Sequence, residues 1–197
     1  MEEARAALGR DREFRPLLKT VKPFEILSHR PYFWVLCCSI LSQQVSGASA
    51  RAVINRVRAL HPDLRFPTPE AILATSEKKL LGAGVSRQKR RYLYALSEAF
   101  ADGGLGRVRW SRQSDEEIIE RLTTIVGIGR WTAEMFLMFS ARRRDVFPVD
   151  DLGIRKGMEK FFKKSDAESM VERAEAWRPY RTVASVYIWR YLTAGGI

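Results

Sequence analysis

Residues 122–139 read LTTIVGIGRWTAEMFLMF, and this stretch decides the fold. Apolar residues at helical spacing end at Ile125, and a second helix is predicted directly after the glycines. Between the two helices, Gly127 and Gly129 allow a tight turn and a close approach of the backbone to a ligand. The second helix is apolar almost all round, which predicts that it is buried.

The start of this second helix is a candidate phosphate-binding site. The first N–H groups of a helix lack intrahelical acceptors and lie at the positive end of the helix dipole. Arg130 adds a positive charge beside them, so Gly127, Gly129 and Arg130 are candidate phosphate-binding residues. An ordinary corner between two helices of a bundle is the alternative, and the glycines alone would favour it.

The overall charge favours a DNA-binding interpretation. The 197-residue chain has 34 Lys and Arg against 23 Asp and Glu, a formal net charge of +11. Such a balance indicates a polyanionic partner, although a solvated positive face is the plain alternative. No apolar run reaches the roughly 18 residues of a spanning helix, which argues against a membrane protein. The acidic start is unlike a signal peptide, and Cys37 and Cys38 are predicted to be reduced thiols of a cytoplasmic protein.

Helix start and stop signals recur along the chain, whereas no strand signal is sustained. Residues 33–60 are predicted to be helical, with a break near residues 43–47. Further helices are predicted after N-cap residues, behind a capping box and at the end of the chain: Thr68, Ser76, Ser86, residues 114–117 and residues 179–192. The predicted fold class is therefore all-α, with residues 1–197 forming a single domain of short helices.

Four segments of the chain resemble the helix-hairpin-helix (HhH-GPD) DNA glycosylase superfamily, most of all the AlkA-type 3-methyladenine DNA glycosylases II. In order, they are ILSQQVS at 40–46, LGAGVSRQK at 81–89, VGIGRWTA at 126–133 with FPVDD at 147–151, and WRPYR at 177–181 with IW at 188–189. Each motif is weak alone, but four in the family's order are a strong signal. The resemblance implies two helical lobes with the active-site cleft between them, residues about 40–140 forming one lobe and the N- and C-terminal segments the other. The chain is too short for the N-terminal domain of full-length AlkA, so it resembles a compact form.

The resemblance also implies a catalytic carboxylate. Breaking the bond between a base and deoxyribose C1′ develops positive charge on the sugar, which a fixed carboxylate stabilises. Asp150 and Asp151 both lie at the predicted start of a helix, where either could instead serve as an N-cap. The interval from Trp131 to Asp151 matches that between the corresponding residues of AlkA-type enzymes. Asp151 is therefore the predicted catalytic residue, with Asp150 as the alternative.

Family positions that line the base pocket are held here by Trp131, Trp189 and Met135. A methylated purine is cationic and electron-poor, so aromatic faces should bind it once it is flipped out of the duplex. Met135 departs from the aromatic residue often found at that position, and Gln44 replaces the frequent leucine of the DNA wedge. Both departures leave the substrate range open. Bifunctional relatives carry a lysine at the position of Trp131, so Schiff-base lyase chemistry is not expected.

Other contacts follow from the same resemblance. Arg87, Lys89 and Arg90 are candidate phosphate contacts, with a solvated charged surface as the alternative for each. A monovalent ion, Na⁺ or K⁺, is expected at backbone carbonyls of Ile125 and Ile128, and no organic cofactor is expected. The expected partner is double-stranded DNA, bound by a monomer associated with the nucleoid in the cytoplasm of a bacterial-type cell.

Three functions are therefore consistent with the sequence. The first is a monofunctional glycosylase of base excision repair that releases alkylated bases of the 3-methyladenine type. The second is a glycosylase for another lesion class, such as a mispaired or oxidised base. The third is a helix-hairpin-helix module that binds DNA without catalysis. The order of preference among alkylated bases does not follow from the sequence.

Overall fold

The computed structural model describes residues 1–26 and 31–193, and the described residues form helices without a β-strand. In chain order the α-helices are α1 Glu2–Leu8, α2 Arg15–Thr20, α3 Tyr32–Ser42, α4 Gly47–Ala59, α5 Pro69–Leu73, α6 Glu77–Gly82, α7 Arg87–Ala101, α8 Asp115–Thr123, α9 Arg130–Phe139, α10 Leu152–Phe162, α11 Ala167–Glu175 and α12 Arg181–Thr193. A short 3₁₀ turn spans Trp110–Arg112. The all-α prediction is confirmed.

Side-chain caps begin several of these helices where the sequence predicts them. Thr68, Ser76 and Ser86 each accept a hydrogen bond from a backbone N–H group in the first turn of the helix that follows. Ser114 and Glu117 form the predicted capping box, in which each side chain accepts a hydrogen bond from the backbone N–H of the other. Such caps satisfy N–H groups that a helix start leaves without partners, which explains why these signals hold locally.

Two compact units divide the chain. One unit contains residues 31–136, and the other contains residues 1–26 and 137–193. The resemblance to the family implies a division into two lobes at about residues 40 and 140. That division remains a prediction, because the two compact units are defined within this chain and not by comparison with the family's lobes.

In the unit of residues 31–136, α7 packs against α3 and α5, and α3 packs against α4. The core of this unit contains fully buried aliphatic side chains from α3, α7 and α8, among them Leu36, Ile40, Leu93, Leu96 and Leu122. Because this packing fixes α3 and α7, it also fixes the positions of the segments at the end of α3 and the start of α7.

In the other unit, α12 packs against α10 and α2. An aromatic cluster fills its core: the Trp177 ring lies 5.2 Å from Phe14 and 5.0 Å from Phe162, measured between centroids. The Asp11 carboxylate accepts hydrogen bonds from the indole of Trp177 and the guanidinium of Arg173 at the edge of this cluster. The cluster thus packs against the end of α10, which in turn packs against α12. Asp151 directly precedes α10, and Trp189 lies in α12.

The structure corrects one expectation about α9. The predicted burial does not extend to Trp131 in its first turn, of which 41% is exposed. Met135, one turn further along, is half-buried. Thr132, Ala133 and Phe136 are buried as predicted. An apolar sequence thus marks this helix as mostly buried but does not identify the residues that remain accessible.

Candidate active site and DNA-binding hairpin

The hairpin between α8 and α9 depends on Gly127. This residue has φ +93°, a left-handed conformation that side chains rarely adopt. A Cβ atom added there would lie 2.2 Å from Cγ of Tyr92, whose ring covers the glycine. Packing and backbone conformation within the protein therefore both require glycine at position 127.

The peptide group between Gly127 and Ile128 is held on both sides. Its carbonyl oxygen accepts a hydrogen bond from the Gln43 side-chain amide at 2.9 Å. Its N–H group donates to the carbonyl of Ile125 at 3.0 Å. Because one planar group carries both bonds, its orientation is fixed.

Gly129 has no comparable requirement. A Cβ atom added there would have no neighbouring atom within 4 Å, and the residue has no positive φ. It is exposed directly before α9, where N–H groups and the helix dipole favour an anion. A glycine that the protein's own packing does not need is consistent with a ligand that approaches the backbone closely.

An open groove of about 680 Å³ lies beside the hairpin, lined also by the α3–α4 connection and the start of α7. Gln44 lies on its edge, exposed and with φ +54°. A left-handed conformation is uncommon for a residue with a side chain, and Arg142 and Lys163 are the other two described residues of this kind. The structure therefore places the predicted wedge residue at an accessible and conformationally unusual position.

The basic residues near the hairpin differ in their surroundings. The Arg130 guanidinium makes two hydrogen bonds to the Glu116 carboxylate, at 2.8 and 3.0 Å, and one to Glu134 at 3.3 Å. Two carboxylates thus offset its charge, which weakens the case for Arg130 as a phosphate ligand. Arg87 is exposed in the first turn of α7.

Lys89 and Arg90, two further predicted phosphate contacts, both form hydrogen bonds to groups within the protein. The Lys89 ammonium donates to the Leu41 carbonyl at 2.8 Å, and desolvation by burial lowers the pKa of Lys89. Arg90 is buried, donates to the Val85 carbonyl at 2.8 Å and lies 3.6 Å from the Glu77 carboxylate. The burial of the Arg90 side chain and its contacts within the protein argue against a phosphate contact at this residue.

Asp151 is the N-cap of α10, and its carboxylate is held by two donors. Oδ1 accepts a hydrogen bond from the Ile154 N–H at 2.9 Å and another from Nε1 of Trp189 at 2.7 Å. Asp150 is exposed. The sequence leaves open a division in which one aspartate caps the helix and the other is catalytic. The structure instead gives the cap to Asp151, the residue predicted to be catalytic.

Phe139 packs against Trp189, and Gly153 lies close to both Trp189 and Asp151. The Phe139 ring stacks on Trp189, with centroids 6.1 Å apart and an interplanar angle of 28°. A Cβ atom at Gly153 would lie 2.8 Å from Cδ1 of Trp189 and 3.0 Å from Oδ1 of Asp151. Neither residue is evident from motif spacing; a glycine two residues after the aspartate, inside a helix, is the only signal that marks one of them.

The structure thus brings Asp151 and Trp189 into contact within one unit. Trp131 and Met135 lie one helical turn apart in α9, in the other unit, and both are partly accessible. Within residues 1–26 and 31–193, no group of three or more His, Cys, Asp or Glu side chains could hold a metal ion. No helix in this part of the chain is long and apolar enough to cross a membrane.

Comparisons with known proteins agree on the family. Residues 37–181 match the model described as HhH-GPD superfamily base excision DNA repair protein. DNA-3-methyladenine glycosylase 1 of Schizosaccharomyces pombe is 35% identical over 189 residues, covering 92% of this chain and 83% of the relative. The structure of 3-methyladenine DNA glycosylase Mag1 from S. pombe with abasic DNA aligns with a TM-score of 0.85 and 32% identity, over 99% of this chain and 98% of that one. A Bacillus halodurans DNA-3-methyladenine glycosidase aligns with a TM-score of 0.82 and 31% identity, over 97% and 89%.

Proposed function

The chain belongs to the HhH-GPD superfamily of base excision DNA repair proteins, and from that premise we propose that Asp151 is its catalytic residue. The protein is a DNA glycosylase that hydrolyses the N-glycosidic bond of alkylated bases of the 3-methyladenine type. The observation that carries the assignment of Asp151 is its carboxylate, fixed at the start of α10 by Ile154 and Trp189.

In the reaction, the bond between the base nitrogen and C1′ breaks, and the oxygen of a water molecule bonds to C1′. The base leaves with the electron pair of the broken bond, and the water loses a proton. Positive charge develops on the sugar in the transition state, and the Asp151 carboxylate stabilises it electrostatically. The same carboxylate can accept the proton of the attacking water. Because two donors hold Oδ1, the carboxylate needs little reorganisation as the charge develops.

The base must leave the duplex before it can reach this carboxylate. Trp131, Trp189 and Met135 are proposed to receive it, with Gln44 filling the gap that remains in the stack. The accessible Trp131 ring supports this proposal, since an electron-rich face attracts a cationic methylated base. A base weakened by alkylation is also a better leaving group, so a pocket with few hydrogen bonds can still be selective.

Phosphate binding is proposed for the backbone at Gly127 and Gly129, with Arg87 as an additional contact. The open space at Gly129 supports the close approach of a phosphate. We expect Lys89 and Arg130 to contribute less to phosphate binding than the sequence predicts. Lys89 donates to a backbone carbonyl, and Arg130 donates to two carboxylates. Duplex binding should weaken as salt rises, in proportion to the number of phosphates contacted.

A monovalent cation is proposed at the carbonyls of Ile125 and Ile128. The donors fit such an ion, since neutral carbonyl oxygens offer no charge to hold a divalent metal selectively. The Ile125 carbonyl already accepts the Ile128 N–H, but a carbonyl oxygen has a second lone pair. Bound Na⁺ or K⁺ would add positive charge near a DNA phosphate. No organic cofactor is proposed, and the protein is proposed to act as a monomer on double-stranded DNA, at the nucleoid in the cytoplasm.

The test compares wild type, Asp151→Asn and Asp150→Asn on a duplex that carries one 7-methylguanine. Base release is read as strand cleavage after alkali, and untreated samples report lyase activity. We expect abasic sites from the wild type and Asp150→Asn only, with intact strands before alkali treatment. Base release by Asp151→Asn at the wild-type rate would contradict the assignment of the carboxylate.

The alternatives give different results in the same experiment. A glycosylase for another lesion class would release a base only from a panel duplex with an oxidised or mispaired base. A module that only binds DNA would bind every duplex and release no base. Salt-dependent binding without a damage preference would then be its sole activity.

A further inference from the structure

The α3–α4 connection is held at both of its ends. We call residues 43–46 the wedge loop. Before it, the Leu41 carbonyl in the last turn of α3 accepts a hydrogen bond from Lys89 at 2.8 Å. After it, the Ser46 hydroxyl caps α4 by accepting the Ser49 N–H. The loop between these anchors contains Gln44 in its left-handed conformation.

One side chain joins the wedge loop to the hairpin. Gln43 precedes Gln44 and is half-buried, and its amide donates to the Gly127 carbonyl at 2.9 Å across 84 residues of sequence. That carbonyl belongs to the peptide group whose N–H donates to Ile125. The Tyr92 ring covers the other side of Gly127, so the glycine has little freedom to move away.

From this geometry we propose that Gln43 is a positioning residue that couples the wedge loop to the hairpin. The inference rests on the proposed function, in which Gln44 fills the gap left by the flipped base. The Gln43 bond fixes the position of the wedge loop relative to the hairpin backbone that binds phosphate. Without it, the hairpin still binds phosphate, but the Gln44 side chain is presented in several orientations, of which only some can enter the duplex.

The variant that isolates this bond is Gln43→Met, which preserves length and approximate volume but has no donor. Gln88→Met is the matched control, because the Gln88 amide lies in the same groove and donates to the Tyr92 hydroxyl rather than to the hairpin backbone. Thermal unfolding of both variants reports whether either change disturbs the fold.

Two readouts separate positioning from a general structural role. Single-turnover base release is measured on a duplex with one 7-methylguanine. Unstacking is followed by the fluorescence of 2-aminopurine placed next to the lesion. We expect Gln43→Met to lower base release about fivefold, the worth of one neutral hydrogen bond, and to lower the fluorescence change with it. Binding to undamaged duplex and its salt dependence should remain those of the wild type.

A double-mutant cycle with Gln44→Ala decides the question. If Gln43 acts through Gln44, Gln43→Met has no further effect once Gln44 is alanine. Independent, multiplicative effects of the two changes would overturn the proposal, as would wild-type base release by Gln43→Met. If the wild type releases no base from any duplex of a panel of alkylated bases, the proposed function fails. The fluorescence of the 2-aminopurine duplex would then still test the coupling, since Gln43→Met should reduce it when residue 44 is glutamine and should have no further effect when residue 44 is alanine.

Discussion

The hydrogen bond from Trp189 to Asp151 can be removed by Trp189→Phe, which keeps an aromatic ring but a smaller one. Phenylalanine has no N–H donor but keeps an aromatic ring that can stack on Phe139, 6.1 Å away in the wild type. The lost bond is short, at 2.7 Å, and it ends on a carboxylate oxygen. Asp151 would keep the cap bond from Ile154, so α10 should still begin at the same residue.

The expected loss follows from the strength of this bond. A hydrogen bond to a charged group contributes about 1.5–3 kcal/mol, which is about 10-fold to about 150-fold in rate if it acts fully in the transition state. Single-turnover base release from a 7-methylguanine duplex measures this rate without the contribution of product release. Affinity for undamaged duplex should not change, because the residue is not proposed to contact phosphate.

A second substitution at position 189 separates the hydrogen bond from the aromatic ring. Trp189→Leu removes both the donor and the aromatic ring, so it should lose more activity than Trp189→Phe. If Trp189→Phe keeps the wild-type rate while Trp189→Leu loses it, the indole serves only as an aromatic surface and the positioning argument is refuted.

Three further changes probe other contacts. Gly127→Ala should destabilise the fold by about 1–3 kcal/mol through strain and the clash with Tyr92. Gly129→Ala should slightly raise the thermal midpoint, because alanine fits there, and should weaken duplex binding. Gly82→Ala, also at an open exposed position, is the control, and a Gly129→Ala protein that binds DNA like wild type would argue against close phosphate approach. Gly153→Ala should displace the Trp189 ring and slow base release, though less than Asp151→Asn does; an unchanged single-turnover rate would mean that the ring adjusts without consequence. Burial raises the pKa of Asp11, but hydrogen bonds from Arg173 and Trp177 outweigh it and hold the pKa below its usual value. The ionised carboxylate therefore stabilises the fold at pH values above its unfolded-state pKa, and this contribution is lost as the pH falls through its folded-state pKa. The unfolding free energy of Asp11→Asn, measured by denaturant titration, should accordingly depend less on pH below about pH 4 than that of wild type.

Local signals in the sequence predict much of the fold. A cap side chain and the N–H group that it satisfies are three residues apart, so Ser76, Ser86 and Ser114 identify helix starts without knowledge of the tertiary structure. The break between α3 and α4 follows in the same way from a glycine and two glutamines. These predictions hold because the physical cause and its effect lie within one turn of helix.

Contacts between distant segments could not be predicted from such signals. The bond from Gln43 to Gly127 spans 84 residues, and that from Trp189 to Asp151 spans 38. Arg90 illustrates the same limit, since in the sequence it is one more basic residue beside Arg87 and Lys89. Only the packing of α7 determines that Arg90 points inward while Arg87 is exposed. The net charge of the sequence predicts a polyanionic partner, but burial determines which basic side chains can contact that partner.

The two hairpin glycines show how structure adds to a motif. In the sequence, Gly127 and Gly129 are equivalent members of a Gly-x-Gly turn. In the structure, Gly127 is required by its own backbone conformation and by the Tyr92 ring, whereas Gly129 has ordinary φ and open space around it. A glycine at a position where alanine would fit costs the folded protein conformational entropy without a gain in packing. Gly82 is equally open, so open space alone does not indicate a ligand. At Gly129 the start of α9 adjoins the open space, and a phosphate resting on the backbone is the partner that this helix start can bind.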